Sequence, residues 1–317
     1  MYKQLNSEQR YTIFVLKQKG WTNKAISGII CVHPSTVSRE LRRNAMPNGV
    51  YYHRKADERA KSRRNAVPGN RSVSVSVKTA ARDLIVREQW SPKQVSGYLR
   101  VEKGVAIPHE TIYKMVREDK TGLLAENCRH KMRYRKKSRP KRQTKATNIK
   151  NRVSIHQRPP EANGKRLGDW EMDLIVDRHS NAILTLVERS TNYLVMSRLK
   201  HGKKARPLAD TVWRLLMPYR GEALKTITTD NGSEFAEHGR ITQKLGAQVF
   251  FTDSYASWQK GCVENTNKLI RQYIPKETDI STVTDREIMM IQHKINRRPR
   301  EKLNFSTPKS EFFKHFS

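Results

Sequence analysis

Five short apolar runs in the second half of the chain constrain the fold more than any other feature. They read DWEMDLIV, NAILTLVE, YLVMSRL, LKTITTD and AQVFFTD. Runs of this length that are rich in Val, Ile and Thr are typical of strands, whereas ARPLADTVWRLLM and FAEHGRITQKL have helical periodicity. Three strands in succession, followed by strand, helix, strand and helix, predict an α/β domain with a mixed five-stranded sheet flanked by helices.

The charge of the chain restricts its partners. It has 63 Lys and Arg against 30 Asp and Glu, which gives a formal net charge of +33. Because each Lys or Arg that neutralises a phosphate releases a counterion, nucleic acid is the first partner to consider. An acidic membrane surface is the competing interpretation, but the sequence has no run of about 18 apolar residues and no signal peptide. We therefore expect a cytoplasmic protein with no membrane partner.

Composition divides the chain into zones. Short helical patterns alternate with turn signals up to about residue 120, and the stretch 129–158 is rich in Lys and Arg and contains no acid. Self-repulsion and low hydrophobicity predict an extended linker there. We expect a first helix-turn-helix domain at 1–60, a second helix-turn-helix-like domain at 61–125, a basic linker at 126–160 and the α/β domain at 161–317.

Residues 7–43 have the pattern of a helix-turn-helix, an all-α DNA-binding motif, in SEQRYTIFVLKQKG, TNKAISGII and HPSTVSRELRRN. Ser7 is the expected N-cap of the first helix, and Pro34 lies in the first turn of the last helix, where its missing N–H costs nothing. Cys31 occupies the turn position where Gly is common, because Gly adopts a positive φ freely. Four apolar residues are expected to pack between the second and third helices: Ile26, Ile30, Val37 and Leu41.

The last of these helices is the expected recognition helix. It combines short polar groups, suited to phosphates and base edges, with arginines that recur along its turns. The candidate DNA contacts are Ser35, Thr36, Ser38, Arg39, Arg42 and Arg43. A small helical domain whose arginines form only a solvated face is the alternative.

A second DNA-reading region is predicted at 91–118. Ser91-Pro92 opens one helix, and a later helix carries the candidate DNA contacts His109, Thr111 and Lys114. The alternative is a helical linker domain that packs but reads no bases. Further along, Tyr255 and Trp258 are candidates for stacking on a distorted DNA end, although core packing explains the Trp equally well.

Three acids in the α/β region are candidates for a metal site. Asp173 lies within the first strand-like run, and Asp230 ends TITTD immediately before Asn231-Gly232. Glu264 lies in the helical pattern GCVENTNKLIRQY, and 33 residues separate it from Asp230. Transfer of a phosphoryl group on DNA requires stabilisation of charge on the attacking and leaving oxygens, which two Mg²⁺ ions about 4 Å apart provide. Because Mg²⁺ prefers carboxylate oxygens, a few converging acids suffice to hold it.

Each acid also has an ordinary structural explanation. Asp169, Glu171 and Asp173 share one face of the same strand, so alternation leaves Glu171 as an alternative to Asp173. A single Asp-Asn-Gly is usually a turn. A single Glu on a basic helix usually pairs with a nearby lysine, here Lys260 or Lys268. The presence of all three acids, in this order, favours the metal site.

Several motifs together resemble those of the insertion-sequence-thirty family of DDE transposases. The motifs are WEMDLIV, TTDNGSEF, SWQKGCVENTNKLIRQYIPK, RPREKLNFSTP and HPSTVSRELRRN, and they span nearly the whole chain. The resemblance implies an RNase H-like catalytic fold with Asp173, Asp230 and Glu264 as the catalytic metal ligands, and Arg271 in contact with the DNA ends. It also implies two Mg²⁺ ions, with Mn²⁺ as a substitute, and a homo-oligomer, a dimer or larger, that brings two DNA ends together.

The functional expectation is a transposase. It would bind double-stranded DNA at the terminal inverted repeats of its own element, cleave the strand and transfer it to target DNA by two-metal-ion phosphoryl transfer. Two alternatives remain at this stage: a sequence-specific DNA-binding regulator whose catalytic domain is an inactive scaffold, and a metal-dependent nuclease that cuts without joining.

Overall fold

A computed structural model describes residues 4–66, 73–132, 149–254 and 256–316 of the chain. Residues 133–148 of the predicted basic linker, and Tyr255, lie outside the described residues. The chain divides into two compact units, residues 1–73 and 74–317. The four-part division at residues 60, 125 and 160 stays a prediction.

The first unit is a bundle of four helices. They are α1 (Ser7–Gln18), α2 (Asn23–Ile29), α3 (Pro34–Asn44) and α4 (His53–Ala66). The N-cap prediction for Ser7 was wrong: Asn6 caps α1 and forms a capping box with Gln9. Ser7 is instead the first residue of the helix, and its hydroxyl donates to the Asp57 carboxylate.

The predicted contact between α2 and α3 is confirmed. Ile26, Ile30 and Val37 are buried in one core, and Leu41 packs against it. Pro34 opens α3, as predicted. The turn between the two helices places Cys31 at a φ of 53°, in the left-handed region that favours glycine.

A buried arginine joins three helices of this unit. Arg10 of α1 donates to Glu40 of α3 at 2.8 Å and to Asp57 of α4 at 2.7 Å. Tyr51 and Asn44 also donate to Glu40, at 3.1 and 2.8 Å. Because burying a charge is costly unless it is paired, this network specifies how α1, α3 and α4 meet.

The second unit begins with four helices: α5 (Val75–Glu88), α6 (Pro92–Lys103), α7 (His109–Glu118) and α8 (Leu123–Asn127). Helix α6 begins at Pro92 with Ser91 as its N-cap, in agreement with the prediction that Ser91-Pro92 opens a helix. The ring of Phe305, near the end of the chain, packs where a Cβ on Gly97 of α6 would lie. Arg100 lies over the same ring, with its Cζ 5.7 Å from the centroid. Helix α6 is therefore held against the C-terminal part of this unit.

The remainder of the second unit contains the predicted mixed sheet. Its strands are β1 (Asp169–Val176), β2 (Ala182–Glu188), β3 (Leu194–Leu199), β4 (Thr226–Thr229) and β5 (Gln248–Phe251). The strand order is β3-β2-β1-β4-β5. Strands β1, β2 and β3 are antiparallel to one another, whereas β4 and β5 run parallel to β1. This arrangement confirms the α/β fold class and is that of an RNase H-like domain.

Helices cover both faces of the sheet. They are α9 (Ala205–Leu216), α10 (His238–Leu245), α11 (Gly261–Ile270), α12 (Asp285–Asn296) and α13 (Pro308–Phe313). Trp170 and Met172 of β1 share a core with α9, α10 and α13, whereas Ile175 shares a core with α11 and α12. Odd-numbered side chains of β1 therefore face α11. Within the described ranges, no helix is long and apolar enough to cross a bilayer.

Candidate active site

The parallel pairing of β1 with β4 brings two of the predicted metal ligands, Asp173 and Asp230, close together. Glu171 of β1 is paired with Thr228 of β4, and two residues further along each chain lie Asp173 and Asp230. The Thr229 hydroxyl donates to the Met172 carbonyl at 3.3 Å, so the strands stay together at this point. Asp173 and Asp230 therefore lie side by side. The side chain of Asp173 is on the face of β1 that packs against α11.

A single lysine connects these two carboxylates. Lys260, immediately before α11, places its Nζ 3.0 Å from Asp173 Oδ1 and 2.6 Å from Asp230 Oδ2. The lysine side chain is 7% exposed. Burial alone would lower the pKa of Lys260, but the two carboxylates outweigh it and raise that pKa, so the ammonium group stays charged.

The other carboxylate oxygens have neutral donors. Asn267 of α11 donates its Nδ2 to Asp173 Oδ2 at 2.8 Å. The Gly232 backbone N–H donates to Asp230 Oδ1 at 3.1 Å, in the turn that Asp-Asn-Gly predicted. The turn and the candidate site thus coexist, because the turn uses one oxygen of Asp230 and leaves the other to face Lys260.

Glu264 lies on α11, one helical turn after Lys260 and close to one turn before Asn267. It is half-buried. Among the described residues it forms no ion pair with Lys260 or Lys268, the pairing offered as its structural explanation. Among the residues that the structure describes, no three or more Asp, Glu, His or Cys side chains lie close enough together to hold a metal ion. The structure thus brings Asp173 and Asp230 together and places Glu264 on the neighbouring helix.

The two remaining acids of β1 have other partners. Asp169 is paired with Arg166 at 2.9 Å and accepts from the Thr226 hydroxyl at 2.7 Å. Glu171 is paired with Arg189 at 3.0 Å and accepts from the backbone N–H of Val263 at 2.8 Å. Glu171, the alternative to Asp173, therefore fixes the first turn of α11 to the sheet and does not face Lys260.

The side chains at this position fit a divalent cation in their chemistry. Two carboxylates converge on one cationic group, and the buried Oδ1 of Asn267 has no hydrogen-bond partner in the described ranges. Oxygen donors of this kind are the ones that Mg²⁺ and Mn²⁺ select.

Arg271, predicted to contact DNA ends, is the C-cap residue directly after α11. Its Nη2 donates to the Val176 carbonyl at the end of β1, and its Nη1 donates to the Pro275 carbonyl, both at 3.2 Å. Five N–H donors are available on a guanidinium group, so these bonds leave donors free for a phosphate. Trp258, in the turn that ends at Lys260, is 77% exposed, so core packing does not explain it.

The predicted DNA contacts of the first unit lie on α3. Ser38, Arg39, Arg42 and Arg43 are exposed, and Ser35 and Thr36 are partly exposed. Val37, Glu40 and Asn44 are buried on the opposite side of the helix. The exposed face of α3 therefore carries the polar and basic residues that a DNA groove requires.

The predicted contacts of the second reader lie on α7. His109 and Lys114 are exposed and Thr111 is partly exposed, while Ile112 and Val116 are buried. These two exposed basic side chains have acidic neighbours. His109 Nε2 lies 3.5 Å from Glu110 Oε1, and Lys114 Nζ lies 3.7 Å from Glu118 Oε1. DNA reading by α7 stays a prediction.

Sequence reasoning missed the roles of Lys260, Asn267 and Glu171. From the sequence, Lys260 is predicted only as an ion-pair partner of Glu264. The available signal was its position, a single charge between Ser257 and Glu264 where the neighbouring residues are small, apolar or neutral. Asn267 lies three residues after Glu264, on the same side of the helix, and that spacing was the signal for its contact with Asp173.

Comparisons with known proteins agree with this architecture. A family of helix-turn-helix domains matches residues 1–44. The chain is 38% identical to the transposase for insertion sequence element IS4351 of Bacteroides fragilis, over 98% of this chain and 96% of that protein. It is 34% identical to the transposase InsI for element IS30A of Escherichia coli K12, over 90% and 77%. It is 32% identical to the transposase for element IS1086 of Cupriavidus metallidurans, over 97% and 93%.

These full-length relatives, the helix-turn-helix match and the five-stranded mixed sheet lead to the same assignment. The first unit contains a DNA-binding domain of the helix-turn-helix type, and the second contains the α/β domain of an enzyme that cleaves and transfers DNA. With 34% identity to the IS30A transposase, over 90% of this chain and 77% of that protein, the chain belongs to the IS30 family of insertion-sequence transposases.

Proposed function

We propose that this transposase binds the terminal inverted repeats of its own element and cleaves and joins DNA by two-metal-ion phosphoryl transfer. Asp173, Asp230 and Glu264 are the proposed catalytic and metal-binding residues. The observation that carries the proposal is the convergence of Asp173 and Asp230 on one cationic group, at 3.0 and 2.6 Å. Because that group is a lysine of the chain itself, the two carboxylates already face a common point.

The chain's own residues arrange this site. Asp173 lies on β1 and Asp230 directly follows the paired strand β4, so the spacing of their carboxylates depends on the sheet. Asn267 orients Asp173, and Glu171 fixes α11, the helix that carries Glu264, against β1. When bound, two Mg²⁺ or Mn²⁺ ions would activate the attacking hydroxyl and stabilise charge on the leaving oxygen.

DNA recognition is assigned to α3 and, as a second reader, to α7. The exposed arginines of α3 would contact base edges and phosphates of the repeat, and Arg271 would hold the DNA end near the site. Two ends must meet for joining, so the working form is proposed to be a homo-oligomer, a dimer or larger. Because the partner is the element's own DNA, we propose that the protein acts at the bacterial nucleoid.

A cleavage assay tests the metal ligands. Labelled DNA carrying the ends that flank the protein's own gene is incubated with Mg²⁺ and wild type, Asp230→Asn or Glu264→Gln. We expect both variants to bind this DNA normally and to lose cleavage and joining, because each lacks a negatively charged ligand. Asp210→Asn is the matched control, since Asp210 is an exposed acid of α9 that pairs with Arg240 and Lys244.

The outcomes of this assay separate the alternatives. Cleavage that persists in Asp230→Asn or Glu264→Gln would contradict the ligand assignment. Wild-type protein that binds but does not cleave would favour the regulator, and cleavage without joining would favour the nuclease. Loss of activity in Asp210→Asn would mean that the assay reports folding and not the site.

A further inference from the structure

The two aspartates of the candidate site share one buried counter-ion. Lys260 is the one cationic partner of Asp173 and of Asp230 among the described residues. It supplies a single positive charge to two carboxylates, one on β1 and one directly after β4. Two divalent ions would bring four positive charges to the same place, so the lysine leaves the site short of cationic charge.

The ammonium group and a shared metal ion cannot occupy the site together. A Mg²⁺ ligated by oxygens of both aspartates lies about 2.0–2.1 Å from each of them. Lys260 Nζ lies 2.6 Å from one of those oxygens and 3.0 Å from the other. The two cations would therefore overlap, and the lysine must leave when the ion binds.

The rest of the site is arranged so that only the lysine has to move. Asp173 Oδ2 is held by Asn267, and Asp230 Oδ1 is held by the Gly232 N–H. Both donors contact the oxygens that Lys260 does not contact, so each carboxylate keeps its orientation without the lysine. Lys260 itself precedes α11, at the end of the turn Ser257–Lys260. Its long side chain can withdraw without unwinding the helix.

We propose that Lys260 holds the place of a divalent cation between Asp173 and Asp230, and that metal binding displaces it. This inference rests on the proposed function, in which the two aspartates are metal ligands. It makes Lys260 a positioning residue: its charge offsets the repulsion between the two carboxylates in the metal-free protein, and metal affinity is lower than two free carboxylates would give. The ligand class is a divalent cation of the Mg²⁺ and Mn²⁺ type.

The test measures Mn²⁺ binding to the full-length protein by electron paramagnetic resonance. This method distinguishes free from bound ions and does not depend on DNA cleavage. We expect Lys260→Gln to bind Mn²⁺ at least tenfold more tightly than wild type, because the competing ammonium group is gone. Lys260→Arg keeps the charge and should stay within about threefold of wild type. Lys268→Gln, an exposed lysine on the same helix, is the matched control and should not change the affinity.

Thermal unfolding gives a second measurement. In EDTA, Lys260→Gln should unfold at a lower temperature than wild type, because two neighbouring carboxylates repel each other once the lysine charge is gone. Added Mn²⁺ should raise its unfolding temperature by more than it raises that of wild type. Lys260→Met, which keeps the unbranched stem, is measured in parallel, and a variant that folds only with Mn²⁺ also supports the proposal. A variant that stays unfolded with Mn²⁺ would contradict it.

Asp173→Asn and Asp230→Asn separate the two proposals. If both aspartate variants keep wild-type Mn²⁺ binding, the metal assignment of the proposed function fails. If they lose binding while Lys260→Gln and Lys260→Met bind Mn²⁺ no more tightly than wild type, the place-holder role alone is overturned.

Discussion

At the scale of single residues, Asp173 and Glu171 have different roles because they have different partners. Both side chains point to the same face of β1, towards α11. What separates them is a helix that begins 88 residues after Asp173: its Val263 N–H binds Glu171, whereas Lys260 and Asn267 contact Asp173. Glu171 therefore positions α11 against β1, and Asp173 faces Lys260 at the candidate metal position.

The turn of the helix-turn-helix contains a strained residue. Cys31 has a φ of 53° and an exposed side chain. Replacing it by Gly should stabilise the first unit by about 0.5–1 kcal/mol, because Gly adopts this conformation without a Cβ penalty. Amide hydrogen exchange in α2 and α3 measures the effect. Cys31→Ala, which keeps the Cβ, is the control and should not slow exchange; equal protection in both variants would contradict the explanation.

The Asp57 carboxylate makes the first unit sensitive to acid. Burial opposes ionisation of Asp57, but hydrogen bonds from Ser7 and Arg10 outweigh it and lower its pKa. A lowered folded-state pKa means that the stabilisation is present above the unfolded value, about 3.9, and is lost as pH falls through the folded value. Asp57→Asn should therefore cost about 1.5–3 kcal/mol at pH 7 and progressively less below about pH 4.

Urea unfolding of the full-length protein at several pH values measures this difference. Glu58→Gln changes an exposed acid on the same helix and serves as the control. A destabilisation by Asp57→Asn that is the same at pH 7 and at pH 3 would show that the ion pair with Arg10 is not the cause.

At the scale of elements, the strands were predicted better than the helix boundaries. All five strand-like runs contain the observed strands, because period-two and apolar patterns reflect burial in the sheet. Helix α10 begins at His238 and not at Phe235, because Ser233–Phe235 forms a separate 3₁₀ turn after Asp230. Helix α4 continues to Ala66, past residue 60, where the first domain was predicted to end. Its Arg63 donates to Asn44 of α3, a contact that local sequence patterns do not predict.

The contact between Gly97 and Phe305 tests how α6 is held. A Cβ at residue 97 would overlap the Phe305 ring, so Gly97→Ala should destabilise the second unit by about 1–3 kcal/mol. In a Phe305→Ala background the same substitution has room and should cost less. A double-mutant cycle in urea measures the coupling. Additive effects of the two substitutions would mean that the ring and the glycine do not meet as described.

At the scale of the whole molecule, the net charge of +33 contributes to the affinity for any DNA but not to the choice of DNA sequence. Most of the attraction to phosphates comes from the summed charge, which salt screens, so the affinity for any DNA should fall linearly on a plot of log binding constant against log salt. Composition predicts this behaviour completely, whereas the residues that read bases depend on which face of α3 is exposed.

Arg39 is the residue of α3 chosen to test base reading. Arg39→Ala should weaken binding to the cognate repeat by about 1–3 kcal/mol and should weaken binding to random DNA less. Arg54→Ala, which removes an exposed arginine of α4, controls for the loss of one charge and should lower both affinities equally. Binding curves on both DNAs at fixed salt give the comparison. An equal loss on both DNAs with Arg39→Ala would show that it contacts only phosphate.

The most direct test of the central claim is to locate Mn²⁺ by anomalous scattering in crystals of the transposase bound to its two DNA ends. We expect two peaks about 4 Å apart, ligated by Asp173, Asp230 and Glu264, with Lys260 withdrawn from between the aspartates. Peaks at other residues, or a Glu264 carboxylate that stays beyond ligating distance with DNA and metal present, would contradict it.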